Sequence, residues 1–316
     1  MNKSRKSILG VAACVALVIV AILRGVFASQ DGETFEMSSW NMRWFPSGYA
    51  QPQEPEREFK RIAQAARVIR SQGVPDILFA QEIRDTATCD ALAARLNNPA
   101  LKTVVCSSFM ETIDRTNRIV GLQQVAIISR FNALESGAEP WHSADFVFPP
   151  RGYAYAVLEV GTNLLAVLNV HLKSNFIPKG LNEQQQTVLN RLKRELSCRQ
   201  LLDAVAELRA KDFGGRRVGG VIIGGDFNHS LYEERFAEEN SMRAILSAGF
   251  ANVFADRTGE EWATLPANQW YSYAIFDYFF ADGLSPVDGT QKVLKEHRHY
   301  GMSDHRQIRA RLCFNP

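Results

Sequence analysis

Val221-Ile222-Ile223-Gly224-Gly225-Asp226-Phe227-Asn228 is a short apolar run that ends on two glycines and a carboxylate. A run of this length reads as a strand buried on both faces, and a polar residue at its end falls where loops gather above a sheet. The pattern recurs along the chain. Asp76-Ile77-Leu78-Phe79-Ala80-Gln81 runs into Glu82, Leu164 to Val170 runs into His171, and Glu36 to Trp40 runs into Asn41. Asp277 borders a further run, Phe276 to Phe280. The chemically useful side chains therefore stand together at strand ends, where sites form in sheets covered by helices.

Helical periodicity fills the gaps between these runs. Glu56 to Ser71 places Phe59, Ile62, Ala66 and Ile69 on one face, Thr86 to Asn97 reads as a shorter helix, and Glu183 to Ala210 as a long one. More strands are expected at Lys102 to Cys106, Gln123 to Ser129, Tyr153 to Val160 and Gln307 to Leu312. Strands mixed with helices, with several strands adjacent in the middle of the chain, imply an α/β fold with a sheet-on-sheet core and helices outside.

The 316 residues are 46% hydrophobic and 22% charged, which excludes a disordered or fibrous chain. No linker or repeat divides residues 36–316, so they read as one domain, preceded by a short linker over 29–35. Residues 1–28 differ in kind. Lys3, Arg5 and Lys6 precede an apolar run from Ile8 to Leu23, and Val26-Phe27-Ala28 suits a signal peptidase. This reads as an export signal, with an uncleaved membrane anchor as the alternative, and it predicts a periplasmic or secreted location. Removing it leaves 32 basic against 34 acidic side chains, a net charge of −2. A domain that grips nucleic acid by broad phosphate neutralisation is basic, so affinity for nucleic acid must come from a local patch. Export also makes a disulfide between Cys89 and Cys106 the favoured pairing among Cys89, Cys106, Cys198 and Cys313, against the alternative of four buried thiols.

Five motifs, in order, carry a resemblance. Trp40-Asn41, Gln81-Glu82, His171-Leu172-Lys173-Ser174, Gly225-Asp226-Phe227-Asn228 and Ser303-Asp304-His305 resemble the signature of the endonuclease/exonuclease/phosphatase superfamily, which includes DNase I-like nucleases, sphingomyelinases and inositol polyphosphate phosphatases. The resemblance implies a DNase I-like four-layer α/β sandwich, two packed mixed sheets flanked by helices. It also implies Mg²⁺, with Mn²⁺ as the alternative, held at Glu82 with Asn41 in support and Asp304 completing the metal environment. Asp226 would hold the attacking water and Asn228 would donate to a phosphate oxygen. His305 would act as phosphate-side donor or acid/base, oriented and charged by Asp277, and His171 resembles a second catalytic histidine. Taken alone, an Asp-x-Asn is more simply a turn and Glu82 a surface carboxylate. The family pattern closes with a proline soon after Ser-Asp-His, whereas Arg306-Gln307 follow here, which leaves the loop shape open.

Arg151, Lys173 and Asn175 are candidate substrate contacts, Arg151 as a guanidinium fork on phosphate. His142, His297 and His299 lack a partner pattern and read as surface or structural, and His229 as a cap. The substrate is a phosphodiester, with nucleic acid favoured and the chain taken as a monomer by default. A lipid-headgroup or small-molecule phosphoesterase is the alternative. Its membrane proximity would come through residues 8–23 and it would carry an exposed apolar hairpin. A silent binding protein is the third reading, although no expected side chain is missing.

Overall fold

The computed structural model describes residues 33–113, 117–269, 272–295 and 301–316, so the leader, His297 and His299 lie outside the described residues. The strands are β1 (Thr34–Phe45), β2 (Ile77–Ile83), β3 (Lys102–Cys106), β4 (Met110–Ile113), β5 (Asn117–Val120), β6 (Gln124–Ser129), β7 (Asn132–Pro140), β8 (Gly152–Val160), β9 (Asn163–His171), β10 (Val218–Asp226), β11 (Ala251–Asn252), β12 (Asp277–Asp282), β13 (Leu284–Pro286), β14 (Lys292–Leu294) and β15 (Gln307–Phe314). The helices are α1 (Pro55–Ser71), α2 (Thr86–Ala93), α3 (Glu183–Ala210) and α4 (Ser241–Ser247). One sheet runs β13-β15-β1-β2-β6-β3 with β14 on β15, the other runs β11-β12-β10-β9-β8-β7, and β4-β5 form a separate hairpin.

Alternation along each strand explains the stacking. Ile77 and Phe79 of β2 join Leu165 and Val167 of β9 and Ile222 of β10 in a core between the sheets. The intervening Leu78 and Ala80 face α1 and α2, while Leu164, Ala166, Val221 and Ile223 face α3 and α4. Strands buried on both faces read as continuous apolar runs for this reason. The result is the expected four-layer sandwich, and burying one such side chain contributes about 1.5–3 kcal/mol.

Local signals set the helices. Pro55 opens α1, Asp85 caps α2 by accepting from Thr88 N at 2.8 Å, and Asn182 caps α3 by accepting from Gln185 N at 2.9 Å. α2 ends at Ala93 and tightens into a 3₁₀ turn over Ala94–Leu96, short of Asn97.

Three expectations need correction. Phe59 does not face the core. It is exposed beneath the Arg95 guanidinium, 4.4 Å from its ring centroid, because Glu58 takes the neighbouring buried position through a 2.7 Å ion pair with Arg84. Cys89 and Cys106 are free thiols, although they are neighbours whose hydrogen bond, together with burial, raises the Cys89 pKa. β1 begins at Thr34, inside the stretch read as linker. Among the described residues no helix is long and apolar enough to cross a membrane.

Candidate active site

Three adjacent strands of the second sheet bring His171, Asp226 and Asp277 into one row, since Asp226 is in register with His171 on β9 and with Asp277 on β12. Gly225, just before Asp226, has φ +127°, and a Cβ there would lie 2.1 Å from the Val170 carbonyl oxygen. Only glycine lets the two backbones approach that closely.

The first sheet supplies the opposing groups. Asn41 lies where the β1–β2 register breaks. Glu82, by strand alternation, should face the helices. It adopts φ +57° instead, and this left-handed residue turns the carboxylate toward the cleft between the sheets. There Glu82 Oε1 accepts from the Asn41 amide at 3.2 Å and Oε2 accepts from Trp44 N at 2.8 Å. The same Asn41 amide donates to Asp226 Oδ2 at 2.9 Å, so one side chain joins carboxylates from opposite sheets. Its Oδ1 is taken by Arg43 N at 3.0 Å, which makes Asn41 an orienting group.

His171 Nε2 stands 3.8 Å from Glu82 and 3.6 Å from Asp226, and His305 Nε2 stands 3.7 Å from Asp226 on the other side. His305 Nδ1 meets Asp277 Oδ2 at 2.8 Å. Ser303 holds this loop, donating to Asn41 O at 2.6 Å and accepting from His305 N at 3.0 Å. The Arg306 N–H donates to Thr264 O at 2.6 Å, a bond that a proline there could not make, and the dyad is intact without one.

The two histidines are driven apart. Burial, then the charges of Arg151, His305 and Lys173, holds His171 well below its ordinary pKa, so it is neutral. Burial acts the same way on His305, but Asp277 and Asp226 outweigh it and hold His305 well above the ordinary value. Burial raises Asp226 to about 7, against the opposing effects of His305 and its hydrogen bonds. Titratable neighbours pushed in opposite directions mark acid and base roles. Among the described residues, Asp226, Asp277 and His305 also form a group whose ligand atoms all lie within 4.8 Å of one another.

The remaining candidates divide. Asn228, at φ +52°, donates its N–H to Asp226 Oδ1 at 2.8 Å and its amide to Leu172 O at 3.2 Å. Asn175 donates to Asn228 O at 2.8 Å. Arg151 directs its guanidinium to His171 O, Leu172 O and Gln123 at 2.8–3.1 Å, which braces the loop after β9. Lys173 Nζ donates to Ser174 O at 2.7 Å. Asp304 stays half exposed, 4.0 Å from Arg43, and no hydrogen bond or ion pair joins it to Glu82 among the described residues. His142 is exposed. His229 is a core residue and not a cap: its ring packs edge-on against Phe236 and its Nδ1 meets Ser241 Oγ at 3.1 Å.

Sequence reasoning missed the buried pair of Arg194 and Glu239, bonded at 2.7 and 2.6 Å. Arg194 also donates to Lys173 O at 2.9 Å, tying α3 to the loop after His171. Its signal was present: Arg194 lies on the helical stripe with Asn190, Ser197 and Leu201, all buried.

Residues 38–305 match the Endonuclease/Exonuclease/phosphatase family. No curated protein matches the chain. Among solved structures, the endonuclease/exonuclease/phosphatase of Beutenbergia cavernae is similar with a TM-score of 0.62 at 14% identity, over 90% of this chain and 72% of its own. A truncated TDP2 of Caenorhabditis elegans is similar at 0.52 and 18% identity, over 89% of this chain and 98% of its own. A TDP2 of D. rerio, described as complexed with single strand DNA product, is similar at 0.57 and 17% identity, over 88% and 98%. At these identities the likeness speaks for the fold.

Proposed function

The chain belongs to the endonuclease/exonuclease/phosphatase family, and on that premise we propose that it hydrolyses phosphodiester bonds of nucleic acid, with a divalent cation, outside the cytoplasm. The observation that carries the chemistry is Asp226, buried between His171 and His305 and held by Asn41 and the Asn228 N–H. A carboxylate with a pKa near 7 is matched to accept the proton of an attacking water. His305, charged by Asp277 on Nδ1, has its Nε2–H left to donate to a phosphate oxygen. Water attacks phosphorus, its proton passes to Asp226, and the bond to the ester oxygen breaks, that oxygen taking up a proton from solvent water.

The donor set fits a hard cation. Glu82 and Asp226 share one amide donor, and no cationic side chain bonds to Glu82 among the described residues beyond its 3.8 Å approach to neutral His171. Two carboxylates so placed repel one another unless a cation joins them, and an imidazolium such as His305 cannot ligate. Glu82, oriented by the Asn41 amide, would hold the ion, which when bound neutralises phosphate charge, and Asp226 is left to take the proton of the water. Export is supported by the sequence of residues 1–28.

A lipid or small-molecule substrate is the second reading, and one observation favours it: Phe146 is 92% exposed at the tip of the loop joining β7 to β8, with Phe148 exposed beside it. The test is hydrolysis of plasmid DNA, RNA, sphingomyelin vesicles and bis-p-nitrophenyl phosphate with Mg²⁺ and with EDTA. Metal-dependent cleavage of a nucleic acid is expected. Full activity in EDTA contradicts the mechanism, and cleavage of sphingomyelin alone contradicts the substrate.

A further inference from the structure

The loop after β9, the first half of α3 and the segment 234–239 line a groove of about 790 Å³ that begins beside the active site at Asn175 and in which the carboxylates of Glu183, Glu234, Glu238 and Glu239 face the guanidinium groups of Arg191, Arg194 and Arg235. It adjoins the catalytic residues, because Asn175 is bonded to Asn228 O. Its volume falls in the range of sites that enclose an organic ligand. Phe176, one residue from Asn175, is 70% exposed. Its carbonyl accepts from the Asn190 amide at 3.5 Å and from Lys173 Nζ at 3.4 Å. The backbone that presents the ring is therefore held while the ring is left open to solvent.

Charge is arranged unevenly along this path. Lys173 shares its surroundings with Arg151, Lys193 and Arg194, close enough for each to repel its charge. Farther along, Arg191 is paired with Glu238 and Arg194 with Glu239, so the groove itself carries little excess charge. A basic group beside the scissile position, followed by an exposed aromatic ring and a groove whose acidic and basic side chains nearly balance, suits bases stacked on a ring more than a backbone gripped by charge. A duplex keeps its base faces within its own stack and gains nothing from such a ring.

We propose that this groove takes the nucleotides next to the scissile phosphate as a single strand, one base stacked on Phe176 and the adjoining phosphate facing Lys173 and Lys193. The proposal rests on the nucleic-acid reading above and narrows it to unpaired substrate. Such a track also explains how a domain of net charge −2 holds nucleic acid, since stacking does not require a broadly basic surface.

The test compares wild type, Phe176→Ala and Phe176→Trp on a labelled single-stranded 12-mer, its blunt duplex, sphingomyelin vesicles and bis-p-nitrophenyl phosphate, all with Mg²⁺. Wild type should prefer the single strand. Phe176→Ala should lower kcat/KM on it about tenfold, the loss of one stacked base. The same variant should leave bis-p-nitrophenyl phosphate unchanged, and Phe176→Trp should retain wild-type turnover. If wild type cleaves both oligonucleotides equally and Phe176→Ala has no effect, the track is overturned while the nuclease reading stands. If neither oligonucleotide is cleaved while bis-p-nitrophenyl phosphate is, the nuclease reading fails and the track with it. Loss of activity only on sphingomyelin vesicles would assign Phe176 to a lipid surface and overturn the proposal.

Discussion

At the pole away from the site, the layer between the sheets is filled by Phe35, Leu158, Leu165 and Leu312, whereas toward the site the same layer is built from Ser39, Gln81 and Asn169. Each inward-facing file changes along its length. On β1 it runs Phe35, Met37, Ser39, Asn41, and on β9 Leu165, Val167, Asn169, His171. The amides bond across the gap: Gln81 donates to Asn169 Oδ1 at 2.7 Å, and Asn169 donates to Ala80 O and Ala126 O at 3.0 and 2.8 Å. Apolar contact holds two sheets together but does not specify their relative position, whereas directional bonds between them do. The difference explains how carboxylates from separate sheets come to share the Asn41 amide. The apolar pole supplies stability, and the polar pole supplies alignment.

The sharpest way to break this contrast is to exchange the effects. Asp226→Asn should lower turnover by about 10³-fold through loss of the base, with little change in melting temperature. Leu165→Ala, at the apolar pole, should cost about 2–5 kcal/mol of stability while the folded fraction keeps near wild-type turnover. Thermal melts and turnover per folded molecule check both, and a Leu165→Ala protein that is stable but inactive would dissolve the distinction.

A second test uses acid. Burial holds His229 at about 4, against an ordinary 6.5. Between those values the unfolded chain binds a proton that the folded chain refuses. Stability present above pH 6.5 should therefore fall as pH drops toward 4, by roughly 3 kcal/mol from this group, and change no further from it below pH 4. Denaturant midpoints across that window should flatten in His229→Gln, and an unchanged pH slope would refute the assignment.

A smaller effect is expected between the sheets. Asn169→Leu should cost about 1–3 kcal/mol by leaving the Ala80 and Ala126 carbonyls without the Asn169 amide and Gln81 with its bond to Ser39 Oγ alone. It should also lower turnover, because the sheets lose the bonds that align them. Stability lost with no change in turnover would make Asn169 a core residue of the apolar kind.

Much of this contrast was open to a period-two reading. His171 and Asp226 continue the inward files of their strands, so alternation alone places them between the sheets. Glu82 was found through its motif, but its orientation was not legible, because alternation sends it outward and only its left-handed backbone brings it in. Phe59 misled because helical spacing cannot tell a ring at the edge of a stripe from one inside it when Glu58 has a partner 26 residues away. The Asp304 side chain stands 4.0 Å from Arg43, a neighbour that no pattern in the sequence encodes. The short β4, β5, β11, β13 and β14 escaped because brief strands carry little apolar signal, and β7 because its nine residues are mostly small or polar.

The central claim is that opposite sheets deliver one catalytic unit, and the bond between His305 Nδ1 and Asp277 Oδ2 is its most direct expression. The decisive measurement is turnover of Asp277→Asn, His305→Ala and the double variant on one substrate at saturating Mg²⁺, with melts to confirm folding. Asp277→Asn should cost about 10²-fold or more by leaving the imidazole misoriented or neutral, and His305→Ala at least as much. The double variant should be little worse than the worse single, because groups that act as a unit are not additive. Near wild-type turnover in Asp277→Asn, or losses that simply multiply, would contradict the account.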